Sequence, residues 1–461
     1  MFNPEALRSL VNSSISFREQ QGYDMAAVRD MVRDIDESSC QAWLQAYTMI
    51  GQAVKADGYR YEEPDALEEI KKLRPKGPRR MDYSLTDLEL KDKIHGAFLG
   101  RVCGIILGRP VEGMHQRDIE AYLKGAGYYP LDYYIPRSSI VDGVPIKANY
   151  DRLRCTREYV KYAEPDDDIN YVLLALKLVE KLGIHFTTLD VGYNWLDNLE
   201  VNWTWGPERT TYLNLARYTE TWPRYIDIDE KKLWEVSHYL NDYNELIGAL
   251  IRGDFFGYIT AGMPELASEM AYRDASFTHV KNGIYGEMFA SAMISAAFCT
   301  SDIRETICIG LSEIPSGCRL SEAILNTISW YDEYKDWFAV YKKIEEKYNH
   351  YGVGHTINNA AIIVNSLLAC EGDFEKGVCC CVMQGQDTDC TAATVGSVLG
   401  AMLGASDLPE KFVRPLNDTV MSSIAGESIN RISDVTKRIF NVARMVIKCQ
   451  RKVKYLYSEP I

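Results

Sequence analysis

Glycine recurs every four residues at Gly96, Gly100, Gly104 and Gly108, and again at Gly396, Gly400 and Gly404. Residues four apart share one face of an α-helix, so each run describes a groove without side chains that another backbone can approach closely. A glycine inside a helix costs about 1 kcal/mol relative to alanine, and tight helix–helix packing is the simplest compensation. A phosphate-loop reading finds neither the GxxxxGK[ST] pattern nor a strand followed by GxGxxG.

Between Leu88 and about Ala443, period-two alternation is scarce and hairpin dipeptides are nearly absent. These residues therefore predict helices joined by loops, an all-α chain, with no repeat of solenoid length. Residues 1–85 read as a helical extension, because Leu7, Leu10 and Val11, then Met25, Val28 and Val32, recur with helical spacing. Glu62-Glu63-Pro64-Asp65-Ala66-Leu67 reads as a helix start with proline and acids in its first turn, and Arg74–Tyr83 as a polar linker. Residues 86–461 form the main all-helical domain, ending in a basic amphipathic helix over Val435–Tyr457.

A formal net charge of −14 argues against a nucleic-acid surface, which needs a concentrated field of lysine and arginine. Lys76-Gly77-Pro78-Arg79-Arg80, the one dense basic run, suits a solvated linker. The twelve cysteines include no CxxC pair, and Met1–Glu5 shows neither the basic nor the apolar region of a signal peptide. Reduced, buried cysteines in a cytoplasmic protein are the expectation. The longest apolar stretches, Ile284–Cys299 and Ala392–Ala405, are too short or too interrupted to span a membrane.

Two acidic clusters precede apolar helices. Pro165-Asp166-Asp167-Asp168 leads into Tyr171–Leu182, and three consecutive aspartates exceed what capping one helix requires. Adjacent carboxylates repel unless a cation or a proton intervenes. In the second cluster, Asp387 and Asp389 would point about 200° apart on a helix and converge only where the chain is still turning into one. A D-x-D at such a junction is a natural ligand pair for a hard divalent cation. The missing third acid and glycine exclude an EF-hand.

Several segments, in order, resemble the ADP-ribosylglycohydrolase family over roughly Lys91 to Ala405. They are Gly96–Gly104 with Gly108–Gly113, Pro165–Asp168, Glu245–Gly257, Arg273–Gly286, and His355–Ala361 leading into Gly385–Cys390. The resemblance implies an all-helical bundle, to which residues 1–85 add the helical extension read above, and a cleft holding two Mg²⁺ or Mn²⁺ ions. It implies Asp166, Asp167, Asp387 and Asp389 as metal ligands, with Asp168 as a further one. Where the family commonly places threonine ligands, this chain has Pro165 and Cys390. Proline cannot ligate through its side chain and a thiol suits magnesium poorly, so the second ion lacks its threonine hydroxyls.

The activity implied is hydrolysis of a ribose glycosidic bond in an ADP-ribosylated protein or ADP-ribose conjugate, through an oxocarbenium-like centre. Asp167 or Glu112 would be the general base. His279, Tyr285, His355 and Asn358, with neighbouring Asn359, would contact the substrate. The alternatives are a nucleoside N-ribohydrolase on the same scaffold and a non-catalytic binding or structural family member.

Overall fold

A computed structural model describes residues 3–137, 150–219 and 228–457. These residues are predominantly helical, with one two-stranded antiparallel ribbon, Thr419–Met421 against Ile429–Arg431. The fold class is the all-α one expected. No helix among the described residues is long and apolar enough to cross a membrane.

The two glycine runs meet each other. Helix Asp87–Gly108, started by a Thr86–Glu89 capping box, lies antiparallel to helix Thr388–Leu403. A Cβ built on Gly96, Gly100, Gly104 or Gly108 would fall less than 3.0 Å from the backbone of Gly400, Gly396, Ala392 and Thr388 respectively. Each glycine is thus required by a backbone facing it. The last rung has a functional consequence, because the first helix ends at Gly108 beside the start of the second. Thr388 Oγ1 donates to the Gly108 carbonyl at 2.8 Å, pinning the two ends together.

Around this pair pack apolar helices whose spacing was legible. Helix Lys281–Ala297 is buried from Asn282 to Ala297 and contacts the helices Asp254–Ile259, Pro264–Ala275 and Ile303–Leu311. No disulfide joins the described cysteines, and most of them are buried. The C-terminal helix starts at Ile432, three residues before the expected Val435.

The extension has its own small core. Helices Pro4–Gln20, Ala26–Arg33 and Cys40–Gln52 bury Leu7, Val11, Ile15, Val28, Trp43 and Ile50 together. The next segment departs from expectation. Glu62–Ala66 is not a helix start; the helix runs Leu67–Leu73, with Glu68 and Glu69 in its first turn. The displaced acids instead tie the extension to the rest of the chain. The Glu63 carboxylate, its side chain 2% exposed, accepts from Arg319 Nε at 2.9 Å, Arg319 Nη2 at 3.0 Å and Asn282 Nδ2 at 2.8 Å. The linker is likewise less solvated than its basic run suggested. Arg74 and Arg79 both pair with the fully buried Glu313, because a carboxylate taken out of water requires cationic partners.

Loss of the Glu63 carboxylate removes charged hydrogen bonds but leaves Arg319 held by Glu245 at 2.6 Å. The cost is that of a charged hydrogen bond, about 1.5–3 kcal/mol, and not that of a stranded ion. Glu63→Ala should therefore lower unfolding stability by about that amount, read as a shift in the urea midpoint at unchanged slope. A loss below about 1 kcal/mol would mean that the extension's ion pairs are dispensable.

Candidate active site

A cleft of about 640 Å³ opens at the Gly108–Thr388 junction. The glycine helix runs directly into the turn Arg109–Val111, which delivers Arg109 and Glu112 to the cleft. Facing them is the loop preceding Thr388. Gly385 (φ 77°) and Gln386 (φ 68°) are both left-handed, and Gly385 passes so close to the Met114 carbonyl that a Cβ would clash there. Reciprocal backbone bonds, Gly113 N to Gln386 O at 2.8 Å and Gln386 N to Met114 O at 3.2 Å, lock this turn. A non-glycine residue held left-handed is a modest strain of the kind that collects at functional sites. Here it turns Asp387 out of the helix as its N-cap while Asp389 sits in the first turn. The two carboxylates therefore converge, as the D-x-D spacing required.

The first cluster is built in the same way. Asp166 is the N-cap of helix Asp167–Leu182, its Oδ1 accepting from Asp168 N at 3.0 Å. This helix starts four residues before the expected Tyr171. Asp166 and Asp167 line the cleft, whereas Asp168 is fully buried, its Oδ1 bound to Arg101 Nη2 at 2.7 Å. Carboxylate oxygens of Asp166, Asp167 and Asp168 approach within 4.8 Å of one another, as do ligand atoms of Asp387, Asp389 and Cys390. Two helix N-termini thus aim acids into one space. Their exposed N–H groups and dipoles favour this arrangement but do not neutralise it.

The electrostatics show the strain of that arrangement. Burial, with repulsion from Asp166 and Asp168, pushes the Asp167 carboxyl well above the usual carboxylate range. Burial and Glu112 do the same to Asp389, and burial raises Asp387. Glu112 is pushed up to about 7, by burial first and then by Asp387, against the pull of Arg152. Arg152 Nη2 holds Glu112 Oε2 at 2.6 Å, and Arg109 Nη1 lies 3.1 Å from Asp166 Oδ2.

The donor set fits a hard divalent cation. It consists of carboxylate oxygens, and the buried Asp387 Oδ1 and Asp168 Oδ2 have no hydrogen-bond partner among the described residues. The two residues standing at the family's threonine positions find other work. Pro165 offers its carbonyl to Arg109. Burial and the surrounding aspartates drive the Cys390 thiol well above its ordinary value, so it stays protonated. A neutral thiol beside these aspartates is chemically distinct from a soft thiolate ligand.

Five further residues shape the cleft and were not singled out from the sequence: Arg109, Arg152, Trp203, Trp205 and Glu208. Glu208 is buried in the first turn of helix Gly206–Tyr218 and is raised to about 7 by burial, with Arg252 Nη1 at 2.8 Å opposing the shift. Gly248 is needed opposite it, since a Cβ there would strike the Glu208 carboxylate. The run Trp203-Thr204-Trp205-Gly206-Pro207-Glu208 repeats the proline-and-acid helix start of the first cluster, and that signal could have been read.

The structure does not bring His279, Tyr285, His355 or Asn358 to the cleft wall. Tyr285 donates to the Pro64 carbonyl beneath the extension. His355 caps helix Thr356–Cys370, its Nδ1 accepting from Ile357 N at 3.2 Å, and Asn358 Nδ2 donates to Gly352 O at 2.8 Å. His279 bonds Thr278 Oγ1 at 2.7 Å and reaches the site only through Glu208, 3.7 Å away. Each makes at least one local hydrogen bond, while His279 Nε2, His355 Nε2 and Asn358 Oδ1 have no hydrogen-bond partner among the described residues. Their neighbour Asn359 touches the acidic loop instead, accepting from Asp387 N at 3.3 Å.

No curated protein matches the chain. A solved structure titled "ADP-ribosylglycohydrolase-related protein complex" is similar at 18% identity and a TM-score of 0.46, over 78% of this chain and 99% of that one. The family model described as ADP-ribosylglycohydrolase matches residues 86–446, most of the 461-residue sequence. By that match, the chain belongs to the ADP-ribosylglycohydrolase family.

Proposed function

We propose that this family glycohydrolase cleaves a ribose glycosidic bond in an ADP-ribosylated protein or ADP-ribose conjugate, with Mg²⁺ or Mn²⁺ bound in the acidic cleft. The observation that carries the reading is the convergence of Asp166, Asp167, Asp387 and Asp389 from two helix N-termini into one cavity. These four would hold the cation, and Asp168 would contribute at most its free Oδ2, since Oδ1 is engaged by Arg101. A divalent cation there supplies Lewis-acid and template chemistry for the ribose hydroxyls.

The chain's own residues do the rest. Glu112, poised near neutrality, accepts the proton of the attacking water, as a general base with a matched pKa should. Arg152 orients Glu112, and Arg109 orients Asp166. Trp203 and Trp205 offer aromatic faces at the cleft to the planar part of a substrate. Asp167 lies among the ligands, and as a shared ligand it is the weaker choice for the base.

Calorimetric titration of Mg²⁺ and Mn²⁺ into wild type and Asp387→Ala/Asp389→Ala tests the reading. The double variant should bind more weakly by more than the roughly 10- to 100-fold that follows loss of a group behind the ligands. Because Asp167 and Asp389 hold protons more tightly than free carboxylates, protons compete with the cation, and wild-type affinity should rise from pH 5.5 to pH 8. Equal binding by both proteins defeats the metal assignment. Product analysis on an ADP-ribosylated protein and on nucleosides, with Mg²⁺ present, should yield ADP-ribose; release of free base and ribose instead would favour the nucleoside hydrolase.

A further inference from the structure

Asp387 differs from the other aspartates that start helices in this chain. Asp166, Asp229, Asp302, Asp336 and Asp373 are N-caps whose carboxylates accept from amides of their own first turn, the ordinary use of an N-cap aspartate. Asp387 holds the same position on helix Thr388–Leu403, yet its carboxylate makes no capping bond. The Cys390 amide, third in that helix, bonds Asp389 Oδ1 at 3.0 Å instead. The Asp387 side chain is thereby left to the cleft, and capping does not fix its direction.

Its placement falls to the backbone. Gln386 before it is left-handed, and the Asp387 carbonyl accepts from Thr391 N at 3.0 Å and Thr391 Oγ1 at 2.8 Å. The Asp387 amide donates to Asn359 Oδ1 at 3.3 Å. Asn359 is fully buried, and its own amide group cannot turn over. Nδ2 donates to Val353 O at 2.7 Å and His355 O at 2.9 Å, so the acceptor Oδ1 is the atom that faces Asp387.

The loop that Asn359 grips is fixed in turn. Ile247 N donates to Gly354 O at 2.8 Å, Thr356 N to Glu245 O at 3.0 Å and Thr356 Oγ1 to Leu246 O at 3.0 Å. Leu246, Ile247 and Gly354 all line the cleft. The Glu245 carboxylate accepts from Arg319 Nη2 at 2.6 Å, the guanidinium that Glu63 of the extension also holds. Asn359 therefore joins the Asp387 amide to a braced part of the cleft wall.

We propose that Asn359 is a positioning residue for cation binding, holding the Asp387 backbone at the setting from which its carboxylate reaches the ion. This role presupposes Asp387 as a ligand, as proposed above. Asn359 acts through Asp387 and does not itself line the cleft.

Calorimetric titration of Mn²⁺ into wild type, Asn359→Ala and Asn358→Ala tests this role, with a melting curve for each protein. Asn358 is a matched control. It is buried in the same first turn of helix Thr356–Cys370, and its Nδ2 bonds the same loop, at Gly352 O, 2.8 Å away. Asn359→Ala should bind Mn²⁺ roughly 10- to 100-fold more weakly, as follows loss of a group that orients a ligand, while Asn358→Ala should bind like wild type. A purely structural role would lower both melting curves and spare affinity in both variants. Should alanine leave too little folded protein, Asn359→Ser replaces it. A serine hydroxyl bonds the carbonyl four residues back, here His355 O, but is too short to hold Asp387. Equal affinity in wild type and the Asn359 variant, or an equal loss in both alanine variants, overturns the positioning role alone. A wild type that binds no Mn²⁺ overturns the ligand reading with it, so the two failures are told apart.

Discussion

Glu112→Gln should lower kcat by roughly 100- to 10,000-fold, the contribution of a positioned general base. Glutamine keeps the size of Glu112 and an oxygen for Arg152, 2.6 Å away, but cannot take up a proton at neutral pH. Metal binding should persist, because the four aspartates remain, although loss of the Glu112 charge beside Asp387 and Asp389 should weaken it modestly. The measurement pairs kcat on an ADP-ribosylated protein with a Mg²⁺ titration of the same preparation. In the wild type, kcat should fall as pH drops below about 7, where Glu112 becomes protonated; that limb should vanish in the variant. A fall below about tenfold with the limb intact would move the base to another carboxylate, Asp167 first.

The second large effect is structural. Gly100→Val/Gly104→Val should destabilise the chain by more than about 4 kcal/mol, enough to abolish the native fold. A Cβ at either position meets the backbone of Gly396 or Ala392, and no rotamer change can withdraw a carbonyl. Gly51→Ala is the control, because its Cβ would meet nothing within 4 Å, and it should be neutral or stabilising by up to about 1 kcal/mol. Thermal melts and recovery of soluble protein distinguish the two outcomes. If the double valine variant melts near wild type, the glycine contact is not what holds these helices together.

Much of this was legible in the residues because the physics involved is local. Helical periodicity, the absence of strand alternation and glycine at intervals of four gave the all-α fold and two smooth helix faces. D-x-D geometry required a turn at Asp387, and the chain supplies one through Gly385 and Gln386. What spacing could not reveal is which distant segments meet. Nothing local shows that the two glycine faces oppose each other, or that Glu63 reaches Arg319 across more than 250 residues. Buried polar residues misled for a related reason. His279, Tyr285, His355 and Asn358 resemble ligand contacts in a motif, yet none lines the cleft and each bonds a neighbour inside the protein. Trp203, Trp205 and Glu208 escaped notice because aromatic and acidic residues at a helix start are common, and only the cavity they share gives them meaning.

The antiparallel glycine contact also acts as a ruler. One helix carries Glu112 just past its end, and the other begins beside Asp387 and Asp389, so their axial register sets the spacing between Glu112 and those two carboxylates. Sliding one helix past the other by a single residue would move these groups about 1.5 Å, and a misplacement of about 1 Å can cost roughly 100-fold in rate. The interlocked backbones make such a slide discontinuous, since each glycine fits only its own opposing turn. The geometry of the acidic cleft is thereby calibrated along a seam that extends to Gly96 and Gly404, at the far end of the helix pair. Small substitutions on that seam offer a means of retuning the active site without touching it.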